Sequence, residues 1–121
     1  MESSKSFKDL IVWQKAHQFV LQIYQLSRRM PKNEEYGITN QMKRSSVSIA
    51  ANIVEGYKRL GKKDKLRFYN ISQASLEETR YFLILIEDLG LVKNLSKEHE
   101  LIESTSKLLL AYCRKIKDKI K

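Results

Sequence analysis

Between Met1 and Lys121 the chain offers almost no place at which a helix would break. Pro31 is the only proline, and the four glycines are Gly37, Gly56, Gly61 and Gly90; proline and glycine are the strongest local punctuation a chain has. Apolar residues recur at three- and four-residue steps, which places them along one face of a 3.6-residue helix. No stretch alternates with period two for long enough to build a sheet. An all-α fold of a few long helices follows.

Leu10, Trp13, Ala16, His17, Val20, Ile23, Tyr24 and Ser27 predict a first helix from about Lys8 to Met30, ended by Pro31. Lys32 to Gly37 is a polar connector, and Thr39 is the expected N-cap of a second helix that reaches about Leu60 and is stopped by Gly61. Leu66, Tyr69, Ser72, Leu76, Thr79, Leu83 and Ile86 mark a third helix from about Lys62 to Leu89, with Gly90 as its C-terminal stop. Ser96 is the expected cap of a fourth, where Glu98 and Glu100 in the first turn complement the helix dipole. Leu101, Thr105, Leu108, Tyr112 and Ile116 carry its apolar stripe. A chain of 121 residues has room for one domain, residues 1–121. Short connections make neighbouring helices antiparallel, so the expected architecture is an up-down-up-down four-helix bundle.

The second helix has more apolar surface than one place in a bundle requires. Met42, Ser46, Ile49, Ile53, Tyr57 and Leu60 fall on one side, and Val47, Ala50, Ala51 and Val54 widen the arc. Gln41, Arg44, Ser45, Ser48, Asn52, Glu55 and Arg59 form a polar strip on the remainder. A helix that needs more cover than its own domain supplies implies a partner.

Lys and Arg number 23 against 14 Asp and Glu, a net charge of +9, which favours polyanionic partners such as RNA or DNA. The bundle topology gathers the end of the second helix, the start of the third and the end of the fourth at one pole. Lys58, Arg59, Lys62, Lys63, Lys65 and Arg67 stand there against Asp64, and Arg114, Lys115, Lys117, Lys119 and Lys121 against Asp118. Cations in the last turn of the fourth helix are favoured by its dipole and need no ligand, whereas those at the start of the third are disfavoured by it. That asymmetry points to an external anion. Backbone N–H groups would add to a phosphate site, and Tyr57, Phe68 and Tyr69 are placed either to stack on unpaired bases or, as core residues, to face inward. The expected phosphate contacts are Lys58, Arg59, Lys62, Lys63, Lys65 and Arg67, with Arg114 and Lys115 auxiliary.

Catalytic chemistry is not written in the chain. His17 and His99 lack the Glu three residues earlier that di-iron bundles use, and there is no Cys-x-x-Cys, Gly-rich phosphate loop or His-x-Glu. No enzyme activity, metal or cofactor is expected. Glu77 and Glu78 are adjacent and point in different directions on a helix. His17 reads as a hydrogen-bonded interior residue, and Glu55 as the i,i+4 partner of Arg59. Cys113 is alone, which leaves no intrachain disulfide and fits a reducing cytoplasm. The first residues lack the apolar core of a signal peptide, and the longest apolar run, Tyr81 to Ile86, is far below the ~18 residues of a membrane span. A cytoplasmic protein without a membrane partner is expected.

Several spaced motifs carry a family resemblance: Phe7-x-x-Leu10-x-x-Trp13-x-x-Ala16, Glu35-Tyr36-Gly37-Ile38-Thr39-x-Gln41, Arg44-x-x-x-Ser48-Ile49-x-x-Asn52-Ile53-x-Glu55-Gly56, Arg67-Phe68 and Ser75-Leu76-x-Glu78. Together they resemble the four-helix bundle proteins named after 23S rRNA intervening sequences, over nearly the whole chain. Ala50 stands where that family often has proline, so the second helix is expected to be less kinked, and Ser45 and Val54 stand where it often has alanine. The resemblance implies an antiparallel bundle that assembles into a ring-shaped homopentamer around a central channel. It extends to the accessory subunit of diversity-generating retroelements, a basic pentamer that engages nucleic acid and a reverse transcriptase. On this basis Arg44, Ser45, Ser48, Asn52, Glu55 and Gly56 are the expected oligomer interface. Small Ser45, Ser48 and Gly56 would admit a neighbouring helix, while Asn52 and Glu55 would supply intersubunit hydrogen bonds. The combined expectation is a non-enzymatic, homo-oligomeric module that contacts RNA or DNA phosphates through a basic pole. The alternative is a protein adaptor or scaffold that recruits another protein without binding nucleic acid.

Overall fold

The computed structural model describes residues 5–120. They form α1 (Ile11–Ser27), α2 (Ile38–Lys58), α3 (Lys62–Asp88) and α4 (Ser96–Lys117), with no strand among the described residues. Each helix packs on the next and α4 returns to α1, which makes the antiparallel four-helix bundle that the apolar spacing predicts. Phe19, Ile23 and Leu26 of α1, Met42, Ile49 and Ile53 of α2, Leu76, Leu83 and Ile86 of α3, and Ile102 and Leu109 of α4 are buried in one core. Full burial of such a side chain stabilises by roughly 1.5–3 kcal/mol.

One helix pair packs differently from the others. Between α2 and α3 the contact is a seam of hydroxyls: Ser45 Oγ lies 2.7 Å from Thr79 Oγ1, Ser48 Oγ lies 2.8 Å from Ser75 Oγ, and the Ser72 hydroxyl donates to the Ile49 carbonyl at 2.6 Å. A side chain as short as serine reaches the backbone of the next helix only when the two helices lie close together. Gly56 completes the seam, since a Cβ there would sit 2.5 Å from Tyr69 Cε1. The Tyr69 ring is fully buried against that bare backbone.

Helix ends depart from the sequence expectations in informative ways. Ser6 caps a 3-10 turn at Phe7–Asp9 in a reciprocal capping box with Asp9, and extended Leu10 (ψ 122°) separates that turn from α1, which therefore begins at Ile11. α1 closes at Ser27, whose hydroxyl donates to the Tyr24 carbonyl, and buried Met30 follows in the turn. Thr39 is not a cap: it lies inside α2 with its hydroxyl buried, and Glu34 Oε1 accepts from the Ile38 N–H at 3.4 Å instead. Ser96 is the first residue of α4, and the oxygen that meets its N–H, at 3.4 Å, is Asn94 Oδ1, which also accepts from the Ser96 hydroxyl at 2.8 Å. Asn94 holds φ 61°, a conformation asparagine tolerates better than most residues. Gly90 does stop α3. At φ 67° it donates to the Glu87 carbonyl while Leu91 donates to that of Ile86, the paired bonds of a Schellman end. α2 ends at Lys58 and not near Leu60, because Arg59 turns extended at ψ 142°. Leu60 then leaves the apolar face on which it was expected and is 99% exposed.

Gly56→Ala tests the seam. The added methyl has no space beside Tyr69, and overpacking of this kind costs about 1–3 kcal/mol, more than the helix-propensity gain of under ~1 kcal/mol. Urea denaturation is expected to show a net loss, whereas Gly61→Ala, with open space around it, is expected to leave the midpoint nearly unchanged.

Candidate nucleic-acid interface

The close approach of α2 and α3 leaves only Arg59, Leu60 and Gly61 between them, so the end of one helix and the start of the next share a pole. Lys62 Nζ donates to the Lys119 carbonyl at 3.3 Å, which brings the basic turn against the basic end of α4. The start of α1 lies at the same pole and adds exposed Lys5 and Lys8. Charge runs in the sequence miss these two, although the antiparallel topology already implies their position.

The expected phosphate contacts separate into three groups. Lys65 Nζ donates to the Tyr57 carbonyl at 2.6 Å and to the Gly56 carbonyl at 3.2 Å, and it sits 5.6 Å from the Tyr57 ring centre. Its ammonium closes the C-terminal carbonyls of α2 and is half-buried there, and burial lowers its pKa from the usual lysine value. Arg67 donates to Asp64 at 3.0 and 3.2 Å, and Arg59 lies 3.8 Å from the same carboxylate. Both guanidinium groups also lie on Phe68, at 4.3 Å for Arg59 and 4.6 Å for Arg67. Arg59 therefore does not pair with Glu55, since the chain unwinds at Arg59 and carries its side chain towards α3. Lys58, Lys62 and Lys63 form the third group, exposed on the rim.

Arg114 and Lys115 are exposed on the α1–α4 side of this pole, with Arg114 also bordering Leu66, Asn70 and Gln73 of α3. They line an open groove of about 810 Å³ between α1 and α4, in company with Asp9, Asp118, Leu10 and Ile11. Tyr69 is closed to any base, with Tyr112 edge-on at 5.2 Å, and burial pushes its hydroxyl pKa far above the ordinary phenol value. Cys113 is buried as well, which raises its thiol pKa and disfavours the thiolate. His17 is not interior: it is exposed and stacks in parallel on Trp13.

The opposite pole carries charges of both signs in nearly equal number and is internally tied. Glu98, expected in the first turn as a complement to the helix dipole, is 1% exposed; Gln22 donates to it at 2.7 Å and Arg29 lies at 3.9 Å, linking α4 to α1. His99 and Glu87 meet at 2.8 Å beside it. Among the described residues no three His, Cys, Asp or Glu side chains come together, and no helix is long and apolar enough to cross a membrane.

The residues expected at an oligomer interface also divide. Ser45 and Gly56 are buried inside the chain, because the helix that approaches them is α3 of the same molecule. Ser48 and Asn52 are half-buried along the seam, where Asn52 donates to the Ser48 carbonyl at 2.8 Å and to its hydroxyl at 3.0 Å. Arg44 and Glu55 remain exposed. They share the outer face of α2 with Val47 and Ala51, beside Ile71, Ala74, Glu78 and Tyr81 on α3, and Val47, Ile71 and Tyr81 are 40%, 40% and 56% exposed.

Residues 8–111 match the model of the 23S rRNA-intervening sequence protein family. No curated protein matches the chain. A crystal structure of a protein of unknown function from the S23 ribosomal protein family of Bacteroides thetaiotaomicron is similar, with a TM-score of 0.77, 24% identity, and coverage of 88% of this chain and 98% of that one. At that identity the likeness is one of fold.

Two neighbouring lysines separate structural from displayed charge. Lys65→Ala, which strips the α2 carbonyls of their donor, is expected to lower stability by about 1 kcal/mol in chemical denaturation. Lys63→Ala, at an exposed position, is expected to stay within about 0.5 kcal/mol of the parent.

Proposed function

The chain belongs to the 23S rRNA-intervening sequence protein family, and on that footing we propose that it is a non-enzymatic, homo-oligomeric module, a ring of five copies, that binds RNA or DNA phosphates through its basic pole. The observation that carries this reading is the contact of Lys62 with the Lys119 carbonyl, since it merges two basic segments far apart in sequence into one surface. Lys58, Lys62 and Lys63 make the first phosphate contacts, and Arg59 and Arg67, held by Asp64 and Phe68, frame them. Ring symmetry multiplies weak sites, and several acting together hold a long polyanion well. The apolar outer face of α2 and α3, rimmed by Arg44, Glu55 and Glu78, supports the assembly half of the reading. The lack of a catalytic constellation in the sequence supports the non-enzymatic half.

A second reading has one observation in its favour. Leu60, almost wholly exposed among cations, suits an acidic protein partner with an apolar pocket, and the chain is then an adaptor. A complex that survives nuclease treatment belongs to that reading.

Titration with structured RNA across a salt series tests the first. The triple variant Lys58→Glu, Lys62→Glu, Lys63→Glu is expected to bind weakly and to flatten the slope of log affinity against log salt by about 0.7–0.9 for each phosphate no longer neutralised. Equal binding by parent and variant removes the basic turn from the interface.

Solution mass measurement tests assembly. The parent is expected as a multiple of 14.2 kDa and Ala51→Glu as a folded monomer, because position 51 is exposed in the single chain. A parent that stays monomeric refutes the ring.

A further inference from the structure

We propose that Trp13 and His17 on α1 form a stacking platform for unpaired nucleobases, which makes the ligand of the basic pole a single-stranded RNA or DNA. This rests on the nucleic-acid reading above and names the class of strand bound.

Residues four apart on a helix lie one above the other on the same face. Trp13 and His17 use that spacing to stack, with ring centres 4.9 Å apart and planes inclined by 7°. Phe7, held in the capped turn before α1, meets Trp13 edge-on at 5.0 Å and 74°. Trp13 is half-buried and packs against the core, so its ring is anchored. His17 is exposed and adds nothing to the core, and the row therefore ends in an open ring.

Further along the same face of α1, Tyr24 is 41% exposed with Lys43 Nζ 4.8 Å from its ring centre. From Trp13 to Tyr24 the helix rises about 16 Å. An aromatic row thus starts beside Lys5 and Lys8 at the basic pole and ends under another cation. Charge that follows a backbone, combined with rings on which successive bases lie, is the arrangement that holds single strands without regard to sequence. Duplex bases are already stacked and paired, and offer no face to such rings. The rings expected to play this part at the α2–α3 turn have other neighbours: Tyr69 is buried, Phe68 carries two guanidinium groups and Tyr57 faces the Lys65 ammonium at 5.6 Å.

Trp13 is the only tryptophan, so its fluorescence reports directly on the platform. The full chain is titrated with oligo(dT), oligo(rU), a duplex DNA of matched charge, and inorganic polyphosphate, with affinity read in parallel by competition against a labelled strand. Either single strand is expected to quench Trp13 fluorescence, and the tighter of the two identifies the sugar, while polyphosphate is expected to compete without quenching. His17→Ala, a change to the best helix former at an exposed site, is expected to keep the helical circular dichroism. It is expected to weaken single-strand binding by about fivefold or more while leaving polyphosphate binding unchanged. Unchanged single-strand affinity in His17→Ala, or equal quenching by polyphosphate or duplex, overturns the platform and leaves phosphate binding at the pole standing. Absence of binding by all four probes overturns both.

Discussion

Hydroxyl groups shared between α2 and α3 set the alignment of the whole bundle. They are buried or half-buried, and a buried polar group without a partner costs free energy comparable to a lost hydrogen bond. Ser45 answers Thr79, Ser48 answers Ser75 and Ser72 answers a backbone carbonyl, so the pair is satisfied in one register. A slip of one turn would break these bonds between the helices and drive the Tyr69 ring away from Gly56, where no Cβ stands in its path. The other helix pairs combine apolar packing with single polar links, such as Gln22 to Glu98 between α1 and α4 and His99 to Glu87 between α3 and α4. The α2–α3 seam specifies register.

Register decides what the basic pole is. With α2 and α3 tightly aligned, the connecting turn is short, and the negative end of α2's dipole lies beside the positive start of α3. Lys65 sits between them on the carbonyls of Gly56 and Tyr57. Cations at a helix start, which in the linear sequence call for an external anion, are thus partly answered from within, by those carbonyls, by Asp64 and by the face of Phe68. What stays on display is narrower than the six residues of the linear motif and centres on Lys58, Lys62 and Lys63. The platform proposed on α1 starts at the same pole.

Two kinds of amphipathic surface are left over. The outer face of α2 and α3 mixes Val47, Ile71 and Tyr81 with Arg44, Glu55 and Glu78, a composition suited to a copy of itself. The α1–α4 groove is lined by Arg114 and Lys115 together with Asp9 and Asp118, two charges of each sign. Charge counted along the sequence therefore overstates the part of it that faces one ligand.

Class, helix count, antiparallel order and the position of the basic pole were legible in the chain alone, because apolar periodicity and scarce breakers act within a few residues of themselves. Gly90 was legible too, since a left-handed helix end is a local requirement. Capping was less so. Thr39 and Ser96 have suitable chemistry, yet Glu34 and Asn94 hold the bonds, because which oxygen reaches an N–H depends on how the preceding turn is folded. Packing in three dimensions, and nothing short of it, turned Ser45 and Gly56 towards α3, buried Glu98 under Gln22 and Arg29, left His17 outside on Trp13 and pointed Lys65 inward. The helical period tells which residues share a face; what that face meets is set by the distance and register of another helix, and neither is encoded in the period.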